Sequence, residues 1–83
     1  MQITIIYTKQ EMLLTKKAYV GWREVQAEYL GYKSSLGPWE IEEVVDYLEF
    51  DYANLEPSAS VQVNALINGP SDTIALTFKH FVK

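Results

Sequence analysis

The sequence contains no cysteine and a single histidine, His80, among its 83 residues. Disulfides, thiolate nucleophiles and cysteine-based zinc sites are therefore excluded, because each of them needs a thiol. One histidine without cysteine also falls short of the usual zinc ligand sets. We expect His80 to be a structural residue of the last strand, and we expect neither a metal nor another cofactor.

Long apolar runs and catalytic motifs are also missing. No apolar run approaches the roughly 20 residues that a bilayer-spanning helix needs, and the residues after Met1 lack the basic start of a signal peptide. The four glycines are scattered, so they form no phosphate-binding loop. Ser34 and Ser35 lack the Gly-x-Ser-x-Gly context of a serine nucleophile. These absences predict a soluble, cytoplasmic protein that is not an enzyme.

The residues that are present predict one small folded domain over 1–83. Hydrophobic residues make up 48% and aromatic residues 13% of the chain, which is well above the range of disordered sequences. A chain of this length buries only about 60% of its unfolded surface, so its core is small. We therefore expect a single domain in which tyrosine and tryptophan supply much of the buried area.

The first half of the chain predicts a strand followed by a helix. Residues 2–7 are mostly β-branched, which is typical of a strand. Thr8 and Glu11 match a capping box, and helical spacing then continues to about Gly31. A break into two shorter helices near Thr15 is the alternative. Residues 33–37 are expected to form a loop.

The second half predicts a helix and two strands. Pro38 suits a first helical turn, and residues 39–52 carry a tight apolar stripe at helical spacing. Residues 58–67 and 73–82 alternate between apolar and polar side chains, which favours an antiparallel hairpin. The predicted fold is therefore α+β, in the order β-α-α-β-β. It has a three-stranded, mostly antiparallel sheet with two helices packed on one face.

The charges of the chain are segregated. Residues 1–33 hold five bases and three acids, whereas residues 34–78 hold eight acids and no base. Such a surface is dipolar, and its acidic part repels phosphates. Direct nucleic-acid binding by this part is therefore not expected, whereas a protein partner with a basic surface is.

The outer face of the predicted second helix is the candidate site. Helical spacing of about 100° per residue places two aromatic side chains and several carboxylates opposite the apolar stripe. The candidate partner-binding residues are Trp39, Glu42, Glu43, Asp46, Glu49 and Phe50. Aromatic anchors within a charged rim are typical of protein interfaces.

Three functions fit these features. The first is a small acidic inhibitor or regulator of a larger, nucleic-acid-processing protein. A phage-encoded anti-CRISPR or anti-restriction protein that acts as a nucleic-acid mimic is its concrete form. The second is a self-assembling protein whose aromatic face forms a homodimer.

The third function is a weak nucleic-acid binder that uses the basic first third of the chain. Its bases are Lys9, Lys16, Lys17, Arg23 and Lys33. Residues 25–35 resemble the first half of a helix-turn-helix motif. The resemblance ends at Gly37 and Pro38, where the second helix of that motif should be under way.

Overall fold

The computed structural model of the protein describes residues 1–79, which form a mixed fold of helices and an antiparallel sheet. In chain order the elements are β1 (Gln2–Thr8), β2 (Met12–Thr15), α1 (Trp22–Glu28), β3 (Tyr32–Glu40), α2 (Ile41–Asp51), α3 (Ala59–Asn68) and β4 (Thr73–Ala75). The strand order is β3-β1-β2-β4. The mixed class and the antiparallel sheet are as predicted, but residues 1–79 contain four strands rather than three.

Strand β1 lies in the interior of the sheet, as its β-branched sequence predicts. It pairs antiparallel with β2 on one side and with β3 on the other, so that Ile5 faces both Leu14 and Leu36. Successive side chains of a strand point to opposite faces, and here both Ile5 and Ile6 are fully buried. The sheet is therefore covered on both faces near its centre.

The predicted first helix is wrong over its N-terminal half, where a β-hairpin forms instead. The Thr8 hydroxyl accepts the backbone N–H groups of Gln10 at 3.3 Å and Glu11 at 3.1 Å, which closes the turn between β1 and β2. The same side-chain contact caps a helix or closes a turn, so Thr8 alone does not distinguish the two. Only the short α1 remains of the predicted helix, and a strand follows it, so the helix-turn-helix resemblance fails.

The predicted second helix is confirmed, although it begins at Ile41 rather than at Trp39. Glu40 and Glu43 form a reciprocal capping box at its start. The predicted loop at 33–37 and the predicted helical position of Pro38 are wrong, since both belong to β3. Gly37 is required there, because it has φ +105° and an added Cβ would lie 2.9 Å from the carbonyl oxygen of Ile3.

The predicted hairpin of the second half is also wrong. Residues 58–67 contribute most of helix α3, and β4 pairs with β2 instead. Strand β4 ends at Ala75, and Phe78 forms an isolated bridge with Leu55. Residues 80–82 of the predicted last strand, which include His80, lie outside the described residues.

The helices lie on both faces of the sheet, and not on one face as predicted. Helices α2 and α3 cover the face that carries Ile3 and Ile5, whereas α1 packs through Val25 on Ile6 of the other face. The larger core consists of Ile3, Ile5, Leu14, Val44, Leu48, Leu55, Ala59, Val63, Leu66 and Leu76. Because α1 is only seven residues long, part of the second face stays open. Within residues 1–79, no helix is long and apolar enough to cross a bilayer.

Candidate functional site

The outer face of α2 brings together five of the six predicted site residues. Val44 and Leu48 of this helix are fully buried, and the residues on the opposite side are exposed. We call this exposed set the acidic face, and it consists of Glu42, Glu43, Asp46, Glu49 and Phe50. The Phe50 side chain is 89% exposed. An aromatic ring therefore stands in solvent among carboxylates.

Trp39 does not share the acidic face, so its predicted position on the helix is wrong. It belongs to β3 and pairs with Ile3 of β1. Its ring is half-buried and meets the ring of Tyr47 edge-on at 5.3 Å. Trp39 therefore lies beside α2 and anchors this helix to the sheet.

Three of the four carboxylates on the acidic face have no structural role in the described part of the chain. The Glu43 carboxylate accepts the backbone N–H of Glu40 at 3.2 Å as part of the cap. Among residues 1–79, no hydrogen bond or ion pair involves the side chains of Glu42, Asp46 or Glu49. These three carboxylates are therefore available to a partner.

Glu42 and Glu43 lie in the first turn of α2, where the helix dipole favours acids, but the other acids of this helix oppose its stability. Asp46 follows Glu42 by four residues, and like charges at this spacing cost about 0.2–0.5 kcal/mol. Glu49 and Asp51 lie in the last turn, where the helix dipole disfavours acids and where no base is present. The helix therefore carries Asp46, Glu49 and Asp51 at a small cost to its own stability.

A cluster of tyrosines holds α2 in place. The Tyr7 hydroxyl lies 2.8 Å from that of Tyr47 and 3.3 Å from that of Tyr52. Burial, followed by these hydrogen bonds, raises the pKa of the Tyr7 hydroxyl. Tyr7 therefore stays neutral, and its hydroxyl links β1 to Tyr47 of α2 and to Tyr52 at the end of that helix.

Two of the bases in the first third of the chain are engaged within the fold. The Lys16 ammonium donates to the carbonyls of Leu66 at 3.0 Å and Gly69 at 3.2 Å, at the C-terminal end of α3. The Lys17 ammonium pairs with Glu28 at 2.8 Å. Sequence reasoning did not identify either contact, because both depend on long-range packing.

A cleft of about 660 Å³ opens on the second face of the sheet, beside α1. Thr4 of β1 and Ser35 of β3 belong to its floor, and the connection between β2 and α1 belongs to its wall. Its apolar lining includes Val20, Trp22, Val25 and Pro38. Helical and strand patterns did not indicate this cleft, since it forms where a short helix leaves a sheet uncovered.

Glu28 holds the wall of the cleft, the connection between β2 and α1, in place. Its carboxylate accepts the Tyr19 hydroxyl at 2.5 Å in addition to the Lys17 ammonium. The hydrogen bond from Lys17, and then the one from Tyr19, lower the pKa of Glu28. The connection at 16–21 is thereby tied to α1.

We predict that Glu28→Gln weakens the protein more at neutral pH than in acid. Because the pKa of Glu28 is lowered on folding, its contribution is complete above the unfolded value of about 4.3. It disappears as the pH falls through the folded value. Urea unfolding at pH 7 and pH 3 should therefore show a deficit that is smaller at pH 3 than at pH 7 and that tends to zero as the pH falls further. A deficit of the same size at both pH values contradicts this role, and Glu11→Gln controls for the loss of one carboxylate.

No protein-family model, curated protein or solved structure matches this chain. Within residues 1–79, no group of three His, Cys, Asp or Glu side chains is arranged to hold a metal ion.

Proposed function

We propose that the protein is a non-enzymatic binding domain whose acidic face docks on a basic surface of a larger protein. The observation that carries this proposal is the 89% exposure of Phe50 on a face that is otherwise acidic. Large aromatic side chains are enriched among the residues that dominate binding energy. A small domain that leaves such a ring in solvent gains from covering it with a partner.

The carboxylates around Phe50 supply orientation and speed of association. Complementary potentials steer a basic partner toward the acidic face and raise the association rate. Glu42, Asp46 and Glu49 have no partner among the described residues, so the protein breaks no ion pair when it binds. The docked partner then removes the ring of Phe50 from water.

Within this class, we favour a regulator or inhibitor of a nucleic-acid-processing protein. A row of carboxylates without an intervening base presents the same sign of charge as a phosphate backbone. Such a face competes with nucleic acid for a basic groove. An anti-CRISPR or anti-restriction protein encoded by a phage is the concrete form of this proposal.

The test of the acidic face is the double substitution Asp46→Lys with Glu49→Lys. It reverses two exposed charges and leaves the capping contact of Glu43 intact. The wild-type protein is used to capture partners from a cell extract, and the protein that it recovers is purified. We expect the double variant to bind this protein about 100-fold more weakly, because it places like charges against a basic surface, which costs several kcal/mol.

The matched control is Glu11→Lys with Glu56→Lys. It changes the net charge by the same amount at exposed positions away from the acidic face. Titration calorimetry at two salt concentrations should show control binding close to wild type and weakened by salt. Normal binding by a folded Asp46→Lys, Glu49→Lys variant contradicts the proposal.

A further inference from the structure

We propose that the cleft beside α1 is a binding site for a small molecule that is uncharged, flat and largely apolar. The cleft lies on the face of the sheet that carries Thr4 and Ile6, whereas α2 and the acidic face lie on the face that carries Ile3 and Ile5. The cleft is therefore a second site, and it does not depend on the acidic face.

The charged side chains of the lining are already paired within the fold. They are Lys16, which donates to carbonyls at the C-terminal end of α3, and Lys17, which pairs with Glu28 at 2.8 Å. Among residues 1–79, no acid lines the cleft. An ionic ligand would lose its hydration there without gaining a counter-charge, which costs far more than the burial of a neutral molecule. The lining therefore selects an uncharged ligand.

Exposed apolar side chains are concentrated at this cleft. Six large hydrophobic residues are exposed within residues 1–79, and three of them line the cleft. These three are Met1 at 61% exposure, Val20 at 94% and Trp22 at 54%. The other three are dispersed over separate segments of the chain. A ligand in the cleft removes Met1, Val20 and Trp22 from water together, and this burial favours binding.

Two hydroxyl groups on the floor of the cleft can orient such a ligand. Thr4 of β1 and Ser35 of β3 both line it, and Ser35 pairs with Ile6, so the two residues share one face of the sheet. The Ser35 hydroxyl lies 2.9 Å from the hydroxyl of Tyr32. It keeps further capacity, because a hydroxyl has one donor and two acceptor positions. A mostly apolar lining with a few polar groups is usual for a small-molecule site.

The size and the walls of the cleft suit a flat molecule. Its volume of about 660 Å³ lies within the range of about 300–1,000 Å³ that is usual for sites that enclose a small ligand. The rings of Tyr19 and Trp22 line the side that α1 and the preceding connection form. Aromatic rings favour stacked or edge-on contacts with another ring. Glu28 ties this side to α1, so the site is formed before a ligand binds.

The first experiment compares two fluorescent probes that share one ring system. N-phenyl-1-naphthylamine is neutral, and 1-anilinonaphthalene-8-sulfonate is the same molecule with one negative charge. The fluorescence of both rises when they leave water, so titration gives their affinity and stoichiometry. We expect the wild-type protein to bind one neutral probe per chain. The sulfonate should bind at least about tenfold more weakly, because the lining offers its charge no counter-ion.

The second experiment fills the cleft. Ala18 is exposed and lines the cleft, so the ring of Ala18→Phe occupies space that the probe needs. We expect this variant to bind the neutral probe at least about tenfold more weakly. The matched control is Ala65→Phe, the same change at an exposed position of α3, which should bind as wild type does. Phe50→Ala should also bind normally, which shows that the probe does not adsorb to the acidic face.

A second filling variant keeps the test decisive if Ala18→Phe is unfolded by circular dichroism. Gly21→Leu also adds volume at the lining. Gly21 has an extended backbone with φ −170°, and an added Cβ meets no atom within 4 Å, so the substitution introduces no strain. It should weaken binding of the neutral probe to a similar extent.

Several results overturn the inference. They are a wild-type protein that does not bind the neutral probe, tighter binding of the sulfonate, and normal binding by a folded variant with a filled cleft. A stoichiometry of one probe per two chains also overturns it, because the site then lies between two copies. None of these results bears on the acidic face, since Asp46→Lys with Glu49→Lys tests that face separately and leaves the lining of the cleft unchanged.

Discussion

Leu66→Ala should lower the free energy of unfolding by about 3 kcal/mol, within the range of about 2–5 kcal/mol for truncation of a buried leucine. Leu66 is fully buried on α3 and belongs to the larger core. Its removal leaves a cavity between the helix and the sheet. For a chain of this length the total stability is on the order of 4–12 kcal/mol, so the loss is a large fraction of it.

Val61→Ala is the control that makes this prediction specific to a helix. Alternation along a strand would place Val61 in the core and Leu66 on the other face. In α3, Val61 is instead 51% exposed. Urea unfolding followed by circular dichroism should therefore show a small effect for Val61→Ala and a large one for Leu66→Ala. The reverse order would falsify the helical assignment of residues 59–68.

Gln62→Leu should also cost about 3 kcal/mol, although leucine is the more hydrophobic residue. The Gln62 amide donates to the carbonyls of Pro57 at 2.7 Å and Thr77 at 3.0 Å. Its side-chain oxygen accepts the backbone N–H of Thr77 at 2.9 Å. Leucine removes all three hydrogen bonds, and each contributes about 0.5–1.5 kcal/mol.

We call the three hydrogen bonds of the Gln62 side chain the Gln62 latch. The matched control for this latch is Gln26→Leu, the same substitution at an exposed position of α1. Thermal unfolding should show almost no change for Gln26→Leu. For Gln62→Leu we expect a decrease of the midpoint by more than about 10 °C, since 1 kcal/mol corresponds to about 4–8 °C in a domain of this size. Equal midpoints in the two variants contradict the latch. The latch matters because it ties α3 to the segment after β4.

Parts of the fold with a strong local signal could be predicted from the sequence. Strand β1 follows from its β-branched run, and α2 follows from an apolar stripe that only a helix can align. Five of the six candidate residues lie on the acidic face, because they belong to that same helix. Trp39 does not, since the predicted helix began two residues too early and the residue lies in β3.

Parts with an ambiguous local signal could not be predicted. In residues 58–67, the apolar Val63 occupies a position that fits both a strand and a helix. Gln62 is polar, which is typical of a surface residue. Its burial in α3 depends on the Thr77 backbone, which lies 15 residues away in the chain. A prediction that uses only a short stretch of sequence cannot include that contact.

The sequence by itself determined the mixed class, the central strand and an acidic helix with an exposed aromatic ring, because each of these follows from side-chain periodicity within a single element. The tertiary structure alone decided that residues 12–15 form a strand and residues 59–68 a helix. It also decided that α1 leaves a cleft on the far face of the sheet. Short segments with mixed periodicity adopt the structure that buries their apolar side chains against the rest of the chain, and that free energy depends on neighbours far away in sequence.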